Sequence, residues 1–267
     1  MARSQGYAAS SKSITASTTA IFSGNDLPLS VPGQTVVGLI VEHSGGSQND
    51  ASDVTRVKVK AGGSTIVDVT YAYLRQIIEH YSGQDPGAAA TRWFIPLNRL
   101  GVDDPDFQDE AAAPIGAPLQ LEIQLGASVA GSATLLVGWL LSDIPPKYFP
   151  MVIANPTNFA ASATNASVQL SERGLIQAFM FPTPASNPPT RHKLVLQGIT
   201  RVEGSEAMLQ AREEMQGENS VGTIALIDLD GAQQAAAIGT SKLECDTPAS
   251  YSSAVEYGYL ALRVQGG

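Results

Sequence analysis

DVTRVKVKAGGSTIVDVTYAYLRQIIEHYSG, residues Asp53 to Gly83, changes its periodicity partway through. Thr55, Val57 and Val59 fall on one side of an extended chain and Arg56, Lys58 and Lys60 on the other, which reads as a half-buried strand. Ala61-Gly62-Gly63 supplies a turn, because glycine accepts the positive φ that tight reversals need. STIVDVT reads as the return strand, with four β-branched residues among its last five. After Thr70 the spacing becomes helical: Leu74, Ile77, Ile78 and Tyr81 sit at i, i+3, i+4 and i+7. Gly83 follows, where a left-handed cap commonly ends a helix.

Outward from this hairpin and helix, strand patterns recur. Before the proline-rich stretch LSDIPPKYFP (141–150) they cover 35–42, 54–60, 64–70, 92–96, 119–125 and 134–142. Beyond it they cover 175–181, 193–201, 222–228, 235–244 and 254–264. Residues 1–24, rich in Ser, Thr and Ala, read as an N-terminal arm. Tandem Pro145-Pro146 and then Pro150 mark a linker, so the expected partition is arm 1–24, first domain 25–145 and second domain 146–267.

The second half also places a strand ahead of a helix. Ile199-Thr200-Arg201-Val202 parallels Val54-Thr55-Arg56-Val57, and AMLQAREEMQGE (207–218) parallels YLRQIIEHYSGQ, each ending near a glycine, Gly217 and Gly83. Because the second helix follows its strand sooner, the return hairpin is expected to be missing or reshaped there. Five or six strands and one helix in each half imply an all-β chain of two tandem jelly-roll sandwiches, each with a short flanking helix.

Composition narrows the functions. A length of 267 residues suits two domains that bury cores without disulfides, and the single Cys245 has no partner thiol. A net charge of −9 with scattered Lys and Arg argues against a nucleic-acid surface. The first 22 residues lack the apolar core of a secretory signal, and the longest apolar run, Ala133 to Leu141, is too short to span a bilayer.

The order VTRVKVKA, GG, STIVDVT, YAYLRQIIEHYSG resembles the first jelly roll of double jelly-roll major capsid proteins of tailless, membrane-containing bacterial viruses, corticoviruses being the nearest type. SVPGQTVVGLIVEHSGG (30–46) is similar to the opening strand of that domain, and RWFIPLNRL with APLQLEIQLG, within 92–126, to its closing strands. The resemblance spans about residues 30–145; the second half matches by architecture. It implies a homotrimer whose six jelly rolls form a pseudo-hexagonal block tiling an icosahedral shell, usually over an internal membrane that the termini often face. Partners would be neighbouring trimers, minor capsid and vertex proteins and the viral membrane, without direct contact to nucleic acid. The protein would be made in the host cytoplasm and reside in the virion.

No catalytic constellation stands out. His43, His80 and His192 lie in different segments, and GxSxG is absent. DDPDFQDE (103–110) reads as a solvated acidic loop; the alternative is a calcium site with Asp103, Asp104, Asp106 and Asp109 as candidate ligands. Asp228-Leu229-Asp230-Gly231 begins like a calcium loop, yet Gly239 occupies the twelfth position, so a hairpin turn is the reading preferred. Asn165-Ala166-Ser167 matches a glycosylation acceptor but lacks the secretory context. Trp93 and Trp139 read as core or interface anchors, the alternative being a sugar platform. No cofactor is expected apart from that calcium ion. The function implied is a structural capsid subunit and not an enzyme. The alternatives are a carbohydrate-binding or glycan-processing sandwich, and a surface-layer or appendage subunit.

Overall fold

Residues 1–24 have no clear period, yet they supply strands where an arm is expected. In the computed structural model, which describes residues 3–8, 11–45, 50–102, 104–129, 131–157, 159–169, 175–182, 189–215, 224–228, 241–251 and 255–265, the chain opens with β1 (Arg3–Tyr7), β2 (Lys12–Ser13) and β3 (Thr19–Ser23). β1 and β2 pair with β9 and β3 pairs with β8, strands defined just below, so partners far along the chain hold this segment. Phe22 of β3 is fully buried.

The elements that follow are β4 (Thr35–Ser44), β5 (Val54–Ala61), β6 (Ser64–Thr70), α1 (Tyr71–Ser82), β7 (Arg92–Pro96), α2 (Pro105–Gln108), β8 (Leu119–Leu125) and β9 (Thr134–Ser142). One sheet runs β1-β9-β4-β7, with β2 also on β9; the other contains β6-β5-β8-β3. Successive strands swap sheets, β4 in one, the β5–β6 hairpin in the other, then β7, β8 and β9 alternating. Each sheet is therefore stitched from distant segments, which is jelly-roll connectivity. Leu39, Val57, Val59, Ile95, Leu121, Ile123 and Leu135 are fully buried, and the alternation along the strands aims them inward. α1 packs on β5 and β6, burying Leu74 and Ile77, and stops at Gly83 in the left-handed region (φ 69°).

The chain divides into two compact units, Met1–Met151 with Leu262–Gly267, and Val152–Ala261. The first unit thus takes in the N-terminal strands and also the last residues. Gln265 explains the latter: its backbone N donates to Lys147 O at 2.9 Å and its side-chain Nε2 to Tyr148 O at 3.0 Å.

The second part of the chain forms β10 (Tyr148–Thr157), β11 (Ala166–Gln169), β12 (Leu175–Pro182), β13 (Arg191–Leu196), β14 (Ile199–Gly204), α3 (Glu206–Met215), β15 (Ile224–Asp228), β16 (Lys242–Asp246) and β17 (Val255–Val264). β11-β16-β13-β14 make one sheet, and β15-β12-β17-β10 run side by side in the other. Leu194, Leu196, Leu209, Leu243 and Leu260 are buried in this unit. The turn expected at Asp230-Gly231, the strand residues 235–240 and the cap at Gly217 lie outside the described residues.

Two expectations need correction. The single strand expected over 193–201 is two strands folded about Gln197-Gly198, and the return hairpin is present. The tetrapeptides at 54 and 199 are not counterparts, because the first opens β5 whereas the second opens β14, the returning strand of its hairpin. The true repeat runs at an offset of 135 (56 to 191, 62 to 197, 70 to 205). Gly62-Gly63 (φ 56° and 87°) and Gln197-Gly198 (φ 54° and 78°) are matching two-residue turns with positive φ at both centres. Each hairpin carries a bulge at the same step, between Val59 and Lys60 and between Leu194 and Val195. Thr70 Oγ1 accepts from Tyr73 N at 3.3 Å, and Ser205 Oγ from Met208 N at 3.4 Å, so both helices start on the same cap.

Candidate functional site

The histidines occupy three separate elements, each in its own packed surroundings. His43 on β4 is buried, and its Nε2 accepts from Trp93 Nε1–H at 2.8 Å. His80 on α1 is buried edge-on to Tyr81, ring centroids 4.8 Å apart. His192 on β13 is buried near Tyr257, and burial pushes its pKa down to about 4, leaving it neutral at pH 7. Cys245 is buried, and burial raises its pKa, so it stays a thiol. Among the described residues no group of three His, Cys, Asp or Glu could share a metal ion.

The two tryptophans act as anchors. Trp93 is buried, with Tyr71 edge-on at 5.0 Å between ring centroids. Trp139 is partly buried, and its indole ring lies over Gly6, where a β-carbon would collide with it. Asn165 sits at positive φ (53°), its backbone N donating to Asp246.

The acidic loop is dispersed. Asp103 lies outside the described residues. Asp104 caps the short helix α2 by accepting from Asp106 N at 2.9 Å, and Asp106 remains exposed. Asp109 turns inward, fully buried, with Arg3 Nη2 at 2.7 Å from Oδ1 and Arg3 Nε at 3.0 Å from Oδ2. Glu110 pairs with Lys147 at 2.6 Å. Both Asp109 oxygens thus serve a guanidinium, and a calcium ion here would have to be held without them.

Charge on the strand surfaces is arranged laterally and repeats between units. In the first unit Arg56 pairs with Asp68 at 2.5 Å, Lys58 with Asp68 at 3.0 Å and Lys60 with Glu122 at 2.5 Å. In the second unit Arg191 pairs with Glu203 at 2.7 Å and with Asp246 at 2.8 Å, and Lys193 with Glu244 at 3.1 Å. Lys242, then Lys193, holds the Glu244 carboxyl below its usual range despite burial. Arg56-x-Lys58 and Arg191-x-Lys193 carry this pattern in sequence, a signal that the tetrapeptide match overlooks. A cavity of about 360 Å³ lies beside the end of α1, lined by Ile78, Tyr81, Phe94, Leu100 and Leu140 together with Arg3 and Arg99. Among the described residues its lining has no carboxylate or histidine to form an acid–base pair.

No protein-family model matches the sequence, and no curated protein is similar to it in sequence. Solved structures are similar in fold. The major capsid protein of bacteriophage PM2 superposes with a TM-score of 0.74 at 15% identity over 100% of both chains. The chain is a double jelly roll. The STIV (Sulfolobus Turreted Icosahedral Virus) major capsid protein shares this double jelly roll with a TM-score of 0.64 at 15% identity, over 100% of this chain and 98% of that one. The PBCV-1 virus capsid structure does so with a TM-score of 0.60 at 12% identity, over 100% and 95%. At these identities the double jelly roll itself is what is shared.

Proposed function

We propose that this chain is a viral major capsid protein, a structural subunit that assembles by surface complementarity and performs no chemistry. The observation that carries the reading is the full-length double jelly roll, matched end to end by capsid subunits. The duplicated hairpin, bulge and capped helix support it, because two near-equivalent units in one chain let a homotrimer present six similar faces. The trimer is a closed ring that uses one heterologous interface three times. Such obligate contacts bury more than about 2,000 Å². The trimers tile an icosahedral shell over an internal membrane, with minor capsid and vertex proteins as further partners. The subunit is made in the host cytoplasm and ends in the virion.

Sedimentation velocity at micromolar concentration tests the subunit, and electron microscopy of native particles tests the shell. A trimer and closed shells are expected. A stable monomer, or open sheets and filaments, would overturn the reading.

A further inference from the structure

The repeat exposes an inequality between the two helices. Tyr73, Ile77 and His80 line a buried face of α1. At the same offset of 135 the corresponding positions on α3 are Met208, Arg212 and Met215. Met208 is 65% exposed and Met215 89% exposed, and with Ala211 and Arg212 they border an open groove. Among the described residues, nothing covers on α3 the helix face that is buried on α1. Methionine suits such a face, because its unbranched thioether adapts to whatever is pressed against it.

Arg212 lines this groove and has no acidic partner among the described residues. A partner must therefore bring an apolar knob together with negative charge. The first unit carries one. Phe107, at the surface on α2, is 52% exposed, and the exposed Asp104 and Asp106 flank it. Neither aspartate has a cationic partner among the described residues.

The geometry points to a head-to-tail contact between copies: Phe107 of one copy inserts between Met208 and Met215 of the next, and Asp104 and Asp106 face Arg212. Knob and groove are different surfaces, so the contact is heterologous and closes into a ring only when it repeats a fixed number of times. This inference rests on the trimer reading and names the contact that builds the ring. Its energetic centre is a buried aromatic ringed by charge, the pattern of interface hot spots.

Cysteine trapping tests it, since the native Cys245 is buried. The double variant Phe107→Cys/Met208→Cys, mildly oxidised, should run as covalent dimers and trimers on a non-reducing denaturing gel. Each single variant should stay monomeric, because a disulfide needs Cα atoms within about 7 Å. Arg212→Asp should weaken trimer association at least about tenfold, and Asp106→Arg in the same chain should recover most of the loss. If the wild type sediments as a trimer while the double variant stays uncrosslinked, this contact is wrong and the trimer stands. A monomeric wild type would remove the trimer, and this contact with it.

Discussion

Thr70 and Ser205 do the same work 135 positions apart: each side-chain oxygen accepts from the backbone N–H three residues on and starts its unit's helix. The equivalence extends backwards through the bulge and the turn to the Arg56–Asp68 and Arg191–Glu203 pairs, at the same offset. Each unit carries the same folded device, and substitutions at matched positions should have matched effects.

Thr70→Ala and Ser205→Ala, made separately, should each cost about 1 kcal/mol, because each leaves a helix-end donor without its acceptor. Urea denaturation reads this directly. A loss at Thr70 with none at Ser205 would mean that only the first helix depends on its cap.

The two turns differ in one residue that matters. Gln197 holds φ at 54° where the first unit has Gly62, and a side chain with a β-carbon pays about 1 kcal/mol there. Gln197→Asn should raise the denaturation midpoint, asparagine being better tolerated in that region. Gly198→Ala, at φ 78°, should lower it.

The N-terminal segment should prove inseparable from the first unit. Phe22→Ala empties a fully buried site and should cost about 3–5 kcal/mol. Arg3→Ala strands the buried Asp109 carboxylate; breaking a buried pair costs about 3–5 kcal/mol, and the partial exposure of Arg3 places the loss below that range. Deleting residues 1–24 should yield aggregated protein, since β8 and β9 then lose paired neighbours. A soluble, fully stable truncation would show that these strands are dispensable.

His192 should make the protein acid-sensitive. Its folded pKa is near 4, against 6.5 for the ordinary side chain, and the cause is burial. Above about pH 6.5 it is neutral in both states and stability is flat. As pH falls from there to about 4, the unfolded chain takes up a proton that the folded one refuses, so stability drops by up to about 3 kcal/mol. Val57 fills the matching place in the first unit, which makes His192→Leu a reasonable replacement. Denaturation midpoints at pH 7.5 and 4.5 should differ less for this variant than for wild type; equal differences would remove His192 as the cause.

Local patterns carried much of the architecture. Local strand signals, β-branched content and apolar runs among them, located β6, β7, β8 and β9 to the residue, and the Thr70 to Gly83 stretch announced its helix, because propensity, side-chain period and capping act over a few neighbours. Ile199-Thr200-Arg201-Val202 misled for the complementary reason: four similar residues fit either strand of a hairpin, and Gln197-Gly198 lacks the usual signature of a tight turn. At the acidic loop, composition suggested solvated carboxylates, with a calcium site as the alternative, whereas the fold sends Asp109 to Arg3 and leaves Asp104 at a helix cap.

What the amino-acid order determined alone was most of the list of elements: strands, two helices each placed after a strand, and a chain long enough for two cores. Only the tertiary structure decided that residues 3–23 are strands, that the repeat runs at 135, and that Gln265 returns to the first unit. Edge strands and buried ion pairs depend on partners about a hundred residues away. Nothing in the local sequence says which distant backbone will be close enough to complete their hydrogen bonds.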